Sequence, residues 1–157
     1  MMLCRAFLLS LVLLLSGCSF WSNHLGEPKL VINITAADNI NPNFKGQPSP
    51  VELRIYQLTN SNAFEQSNFM QIYNDEQSVL TAELAVVRQL LSLMPGEVRQ
   101  EVIPLGTGVK FIGVIAGFAD YRAAKNKVIY EPIIFNSVTI NIEVDGINLS
   151  ISGEEGK

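Results

Sequence analysis

The sequence predicts an all-β domain, a two-sheet β-sandwich with one or two short helices inserted after the second strand. About seven or eight short segments alternate apolar and polar residues or are rich in β-branched residues, which is typical of strands. Turn-forming residues separate these segments, and a single region changes to helical spacing. About 140 of the 157 residues follow the N-terminal apolar run, enough for one sandwich of ordinary size.

Residues 1–17 have the pattern of a secretory signal peptide. Arg5 supplies a positive charge, residues 6–15 form a short apolar run, and small residues follow it. The run is shorter than the about 20 apolar residues that span a bilayer. The alternative is a buried N-terminal helix, which the polar residues after position 18 disfavour.

Cys18 is the candidate lipid-attachment residue. It ends the sequence Leu-Ser-Gly-Cys at positions 15–18, which resembles the lipobox of bacterial lipoproteins, where the Cys becomes the acylated N-terminus. Ser19 stands where an inner-membrane retention signal usually has Asp, so the resemblance implies the outer membrane, on its periplasmic face. Three acyl chains anchor a protein far more firmly than the marginal binding of a single chain.

Residues 18–28 are expected to form the acylated N-terminus and a polar tether, and residues 29–153 the β-sandwich domain. Ser, Asn, Gly and Pro are frequent in the tether, and no hydrophobic period is present. Cys4 lies in the expected signal peptide, and Cys18 is the residue expected to carry the lipid. The mature domain is therefore expected to contain no free thiol and no disulfide, so its stability must come from its core.

The domain begins with two predicted strands joined by a long polar loop. Residues 29–35 are β-branched and partly alternating, and residues 51–58 alternate two faces. Residues 36–50 between them are rich in Asn, Pro, Gly and Ser, which end a strand. Loops of this length are uncommon in compact domains unless they have a function. The polar composition predicts that this loop buries little apolar area.

The next region changes from strand to helical periodicity. Residues 61–75 place Phe64, Phe69, Ile72 and Tyr73 near helical spacing, with Ser61 or Asn62 as the N-cap. Residues 77–85 form a candidate second short helix. Residues 86–94 fit a helix or a strand, and a Pro-Gly turn signal separates them from the alternating residues 98–104. We interpret 86–94 and 98–104 as a hairpin.

The last third of the domain contains a predicted central strand, an edge strand and a hairpin. Residues 110–118 are apolar on both faces, which is typical of a central strand. A charged connection, 119–127, leads to residues 128–135, where Pro132 indicates an edge strand or a broken one. Residues 138–144 and 147–151 alternate on either side of an Asp-Gly turn, which predicts a hairpin, and a polar tail follows.

No motif in the sequence indicates catalysis or metal binding. The single histidine, His24, lies in the tether, and no Gly-x-Ser-x-Gly, His-Glu-x-x-His or phosphate-loop pattern is present. The Gly-Thr-Gly at 106–108 is too short for a nucleotide fingerprint and is interpreted as a turn. The formal net charge of −4 disfavours binding to nucleic acid. We therefore expect a protein that is not an enzyme and has no cofactor, no metal and no nucleic-acid partner.

Several segments, in their order behind the lipobox, resemble one protein family. The strongest are Pro-Ser-Pro at 48–50 followed by Arg-Ile-Tyr-Gln-Leu at 54–58, and Phe-Ile-Gly-Val-Ile-Ala-Gly-Phe at 111–118. The others are Asn-Pro-Asn at 41–43 with Gly46, Ala-Phe at 63–64, Phe69 with Ile-Tyr at 72–73, and Leu93 with Pro-Gly-Glu at 95–97. Together they resemble the outer-membrane lipoprotein of the bacterial type VI secretion system, the TssJ family.

The resemblance implies a transthyretin-like β-sandwich with added helices and a structural role in the membrane complex of the secretion machine. In that complex the lipoprotein binds the periplasmic domain of a large inner-membrane protein, the TssM type, and helps to anchor it at the outer membrane. The family contacts this partner through the loop between the first two strands, here residues 36–50. The candidate partner-binding residues are Asn39, Asn41, Pro42, Asn43, Phe44, Lys45 and Gly46.

Within this loop the large side chains Phe44 and Lys45 are the expected hot spots, with Asn41 and Asn43 as polar contacts. One segment departs from the family, which often has Ala-x-Trp-Arg after the central strand, whereas residues 119–126 contain no Trp.

Two other functions stay open. A generic periplasmic lipoprotein could bind a small ligand in its sandwich, and an envelope hydrolase is disfavoured by the missing catalytic residues.

Overall fold

The computed structural model describes residues 26–134 and 137–153, and these form strands, two short helices and their connections. The strands are β1 (Lys29–Ala36), β2 (Leu53–Leu58), β3 (Leu84–Gln89), β4 (Val98–Pro104), β5 (Phe111–Ala116), β6 (Lys127–Tyr130), β7 (Ser137–Asp145) and β8 (Asn148–Gly153). Helices α1 (Asn62–Gln66) and α2 (Phe69–Leu80) and a 3₁₀ turn at Thr81–Glu83 connect β2 to β3.

The strands form two four-stranded sheets, which confirms the predicted all-β sandwich with short inserted helices. The first sheet has the order β4-β1-β7-β8, and the second has the order β3-β2-β5-β6. In the first sheet β1 pairs in parallel with β7 and antiparallel with β4. The main core lies between the sheets, because the pleat of each strand directs alternate apolar side chains inward. In β1 these side chains are Leu30, Ile32 and Ile34, all fully buried.

The outer faces of the two sheets differ. The helices pack Phe64, Ile72 and Leu80 onto the outer face of the second sheet, where they form a second core with Tyr56 and Leu58 of β2. As a result β2 is buried on both faces. The first sheet instead exposes a ladder of amides, in which Gln100 donates to Asn33 (2.7 Å) and Asn33 donates to Asn141 (3.0 Å).

The predicted hairpin of residues 86–94 and 98–104 is wrong. Strand β3 pairs with β2 and β4 pairs with β1, so the two segments belong to different sheets. Residues 90–97 cross between the sheets: the Leu90 N–H donates to Leu53 O (3.0 Å), and the Ala36 N–H donates to Glu97 O (2.9 Å). The predicted Pro-Gly turn is present, but its local chemistry does not determine which strands it joins.

The helical region also differs from its predicted boundaries. Residues 61–75 contain two helices, because Asn68 starts α2 with a capping box that it forms with Gln71. The expected second helix at 77–85 is the end of α2 followed by the 3₁₀ turn, and Leu84 already belongs to β3. A kink at Asp75, with φ −152° and ψ 68°, divides α2.

The remaining strand predictions are confirmed. Strand β5 lies centrally between β2 and β6, and β6 is an edge strand. Strands β7 and β8 form the predicted hairpin, and Gly146 adopts the positive φ of 57° that this turn requires. The signal peptide, Cys18, Phe135 of the predicted edge segment and the tail after residue 153 lie outside the described residues.

Candidate functional site

The long loop predicted between the first two strands is residues 37–52, and it lies at one end of the sandwich. Strand β1 runs from Lys29 to Ala36, where the loop begins, so its eight residues separate the two ends by about 26 Å. The strand pairings place connections 90–97, 117–126 and 146–147 at the same end as the loop. We call this the distal end, and the end where the described chain starts the proximal end.

Asn41 fastens the base of the loop. Its side chain is 5% exposed; its Nδ2 donates to Pro50 O (2.7 Å), and its Oδ1 accepts from the Ala119 N–H (2.8 Å). Its own backbone N–H donates to Gly146 O (2.8 Å). Its φ of 46° lies in the left-handed region, which Asn tolerates better than most residues. Asn41 therefore ties the loop to two other distal connections, to 117–126 through its side chain and to 146–147 through its backbone.

Ile40 and Asn39 add to this attachment. Ile40 is fully buried in the main core, and Asn39 Oδ1 accepts from the Gly146 N–H (3.1 Å). The expectation that the loop buries little apolar area is therefore wrong at Ile40. A single apolar residue among polar ones has no periodicity, so the sequence pattern did not indicate its burial.

The tip of the loop is a compact hydrogen-bonded turn organised by Asn43. Its Oδ1 accepts from the backbone N–H groups of Lys45 (2.8 Å) and Gln47 (3.1 Å). The Asn43 N–H donates to Gln47 O, and the Gly46 N–H donates to Asn43 O, both at 2.8 Å. Gly46 has a φ of 74°, which a residue with a Cβ rarely adopts. The side chain of Asn43 thus fixes the turn, as Asn commonly does.

Phe44 is the apex of this turn and is 95% exposed. Lys45 Nζ lies 5.6 Å from the centroid of the Phe44 ring, near the limit for a cation–π contact. The ring contributes nothing to either core. Large side chains are frequent among the residues that dominate binding energy, so Phe44 is the candidate contact residue of this turn.

The seven candidate residues therefore divide into two groups. Asn39 and Asn41 lie at the base and use their side chains within the protein. Pro42, Asn43, Phe44, Lys45 and Gly46 form the tip, where Phe44, Lys45 and Gly46 are exposed and Pro42 and Asn43 are half-buried.

Sequence reasoning missed three exposed aliphatic residues at the distal end: Leu91, Met94 and Val98. The sequence shows that residues 90–94 are mostly apolar. The predicted hairpin of 86–94 and 98–104 was wrong, so it could not indicate which of these side chains are exposed.

A polar cluster at the second sheet has a structural role. Arg54 forms ion pairs with Glu52 (2.7 Å) and Glu76 (2.9 Å), and its guanidinium lies 4.3 Å from the ring centroid of Tyr73. Burial raises the pKa of the Tyr56 hydroxyl, and the neighbouring Glu76 carboxylate raises it further. These contacts fasten α2 to β2.

A groove of about 320 Å³ lies between β3 and β4. It is relevant to the alternative function, in which the sandwich binds a small ligand. Gln57 and Arg88 are its polar lining residues. Gln57 donates to Pro104 O (2.9 Å) and accepts from the Gly106 N–H (2.7 Å). Both ends of its amide are therefore used within the protein. In the ranges 26–134 and 137–153, no group of three or more His, Cys, Asp or Glu residues is placed to hold a metal. Within the same ranges, no helix has the length and apolar character of a membrane span.

Comparison with protein families gives one match over most of the chain. Residues 28–146 match the family described as "Type VI secretion lipoprotein, VasD, EvfM, TssJ, VC_A0113". Curated protein sequences give no significant match.

Solved structures of similar fold come from the same secretion system. The T6SS lipoprotein TssJ1 from Pseudomonas aeruginosa superposes with a TM-score of 0.76 at 24% identity, over 84% of this chain and 100% of that one. A chain of a structure described as "Type VI membrane complex" gives 0.70 at 25% identity, over 81% and 99%. A chain of the structure described as the TssM C-terminal domain from EAEC gives 0.62 at 27% identity, over 79% and 97%.

Proposed function

Because the chain belongs to the type VI secretion lipoprotein family, we propose that it is a structural lipoprotein of the secretion membrane complex. It is anchored in the outer membrane by lipid on Cys18, on the periplasmic face. The tip of loop 37–52 binds the periplasmic domain of a TssM-type inner-membrane protein. The role is that of an anchor rather than an enzyme, and it requires no cofactor.

The observation that carries this proposal is the exposure of Phe44 on a hydrogen-bonded turn at the distal end. The turn is fixed by Asn43, and the loop base is fixed by Asn41, so little conformational entropy is lost when a partner binds the tip. Large, rigid side chains are the usual binding hot spots. We assign direct contact to Phe44 and Lys45, and we assign the shaping of the loop to Asn39, Asn41 and Asn43.

The direction of the chain supports the same assignment. Cys18 precedes β1, which starts at the proximal end, so the lipid anchor is connected to the end opposite the loop. A partner that rises from the inner membrane approaches from the periplasm and meets the distal end first. The similarity to chains in structures described as a type VI membrane complex and a TssM domain is consistent with such a partner.

The test of the loop is a calorimetric titration of the full-length acylated protein in nanodiscs with the periplasmic domain of the TssM-type protein from the same secretion system. Phe44→Ala should weaken binding at least tenfold, about 1.4 kcal/mol. The matched control is Ile133→Ala, because Ile133 is 78% exposed but lies at the proximal end. Normal binding by Phe44→Ala would show that the contact lies elsewhere.

The anchor is tested separately by Cys18→Ser. This variant should lose acyl labelling and should no longer fractionate with outer membranes, because Cys18 is the single cysteine outside the signal peptide. Unchanged labelling and fractionation would contradict the assignment of Cys18.

A further inference from the structure

The distal end carries more exposed apolar surface than the loop tip alone. Seven large apolar residues of the described chain are exposed, and four of them lie at this end. Besides Phe44 they are Leu91, Met94 and Val98, which are 78%, 51% and 76% exposed. Val98 starts β4 opposite Thr35, and the other two belong to the connection 90–97.

The exposure of Leu91 and Met94 is not a consequence of a loose backbone. Leu93 exchanges two hydrogen bonds with Val51 (3.0 and 2.8 Å), and Leu91 O accepts from Arg99 Nη2 (2.8 Å). Leu90 and Leu93 of the same segment are buried in the main core. The segment thus packs two of its apolar side chains and holds two others in solvent.

The charged groups beside these aliphatic side chains are paired with one another. Arg99 Nη1 bonds Glu97 (3.0 Å), and Arg99 Nε lies 3.2 Å from Glu101, without the alignment of a hydrogen bond. Arg99 and Glu101 share the inward face of β4 with the buried Ile103, a placement that protects an edge strand from adding further strands. Arg99 therefore offsets part of the charge of Glu97 and Glu101 beside Leu91 and Met94, which add exposed apolar area to this surface.

The segment is continuous with the base of the long loop. The Gly96 N–H donates to Ala37 O (3.2 Å), and Gly96 has a φ of 73°. A Cβ at Gly96 would lie 2.5 Å from Asp38 Oδ1, so the two connections are in close contact. A loop tip is also too small to form a stable interface, which normally takes about 20–30 residues on each side. The neighbouring surface at the same end must supply the remainder.

From these observations we propose that Leu91, Met94 and Val98 form a second contact of the interface made by loop 37–52. They bind an uncharged surface, lined by aliphatic side chains, on the same periplasmic partner. This inference rests on the proposed function, because the partner is the one proposed there. It extends the contact from the loop tip to the connection 90–97.

The test compares two triple variants of the full-length acylated protein in the same titration. The distal variant is Leu91→Gln, Met94→Gln and Val98→Thr. The matched control replaces the three exposed aliphatic residues elsewhere, as Val86→Thr, Val102→Thr and Ile133→Gln. The distal variant should bind at least tenfold more weakly, and the control should stay within twofold of wild type. Both should melt close to wild type, since five of the six residues are more than half exposed and the sixth, Val86, is 38% exposed.

A photo-crosslinking residue at position 94, with position 133 as control, gives a second measurement that does not depend on the stability of a triple variant. Crosslinking of the partner from 94 and not from 133 supports the inference, and equal crosslinking overturns it. If Phe44→Ala weakens binding and the distal variant does not, this inference fails while the proposed function stands. If wild type does not bind the partner, both fail. A distal variant that changes self-association alone also overturns the inference, because the surface then joins copies of this chain.

Discussion

Two long connections flank β2, and they use aromatic side chains in opposite ways. The helical connection that follows β2 buries Phe64 against the second sheet, where its ring centroid lies 5.7 Å from that of Tyr56. Loop 37–52, which precedes β2, displays Phe44 in solvent. One connection therefore completes a core, and the other forms a surface. If the loop binds the partner as proposed, stability and recognition belong to separate segments of one small domain.

The physical reason for the difference is periodicity. In the helical connection, Phe69 and Ile72 are three residues apart on one face of α2, so both reach the sheet together. The loop has no such repeat, and its polar side chains bond the loop's own backbone instead. A segment that satisfies its own polar groups can hold a shape without burying much of its surface.

The largest expected effect is the loss of stability on replacing Phe64 with alanine, compared with the same replacement at Phe44. Phe64→Ala should destabilise the domain by about 3–5 kcal/mol, because it leaves a cavity under α1. Phe44→Ala should change stability by less than about 0.5 kcal/mol, since its ring is in solvent. Urea unfolding followed by far-UV circular dichroism measures both, because the single tryptophan, Trp21, precedes the domain. Similar losses of stability for the two variants would contradict the difference between the two connections.

The next largest expected effect is a loss of stability at Gly113, where the absence of a side chain lets Phe64 of α1 pack closely on the second sheet. A Cβ at Gly113 would lie 2.7 Å from Phe64 Cζ, and the fully buried ring has no space to move. Gly113→Ala should therefore cost about 3 kcal/mol, the upper part of the usual range for overpacking. Gly117→Ala is the matched control, because its Cβ would meet Tyr73 Cε2 at an ordinary 3.4 Å. Equal melting temperatures for the two variants would contradict the packing argument.

A smaller loss of stability is expected at the loop base. Asn41→Ala leaves Pro50 O and the Ala119 N–H without their partner, and it places Ala at a positive φ. The loss of two part-buried hydrogen bonds and this backbone strain together predict a loss of about 2 kcal/mol. Binding should weaken as well, because the tip loses its fixed orientation. Asn39→Ala, which removes a single bond in an exposed setting, is the control for thermal unfolding and titration.

If Asn41→Ala affected binding without affecting stability, Asn41 would be a contact residue, as the sequence alone suggested. That interpretation and the structural one therefore differ in a measurable way. A stable variant that binds weakly would favour the first, and a destabilised one the second.

The particular residues show what could be predicted from the sequence. Alternation in β1 and β7, with turn residues between the strands, predicted the sandwich, and the length and polar composition of the loop after β1 marked it as unusual. The role of that loop in partner binding came from the family resemblance and stays a prediction. The partners of β3 and β4 were not predictable, because a strand pattern specifies which face is buried and not which neighbour is paired. Ile40 and Asn41 were missed as anchors for a similar reason. Asn41 is held by Gly146 and Ala119, and Ile40 is buried in the core between the sheets; these partners are distant in sequence and close only in the folded domain.

The smallest expected effect is a change in the pKa of Asp75 at the kink of α2. It tests whether the helical connection is ordered along its whole length. Hydrogen bonds from the Ser78 side chain and backbone lower the pKa of the Asp75 carboxyl. A lowered folded-state pKa means that the ionised carboxylate favours the fold. Its contribution is complete above the pKa of the unfolded chain and disappears as the pH falls through the folded-state value.

In an NMR titration, Asp75 should therefore titrate below the ordinary Asp value of about 3.9. Ser78→Ala removes the hydroxyl but keeps the backbone donor, so the pKa should rise part of the way back. Ser92→Ala, an exposed serine in the connection 90–97, should leave it unchanged. An Asp75 that titrates at its ordinary value in the wild-type protein would mean that the second half of α2 frays in solution. The helical connection would then be ordered only where Phe64, Phe69 and Ile72 hold it to the sheet.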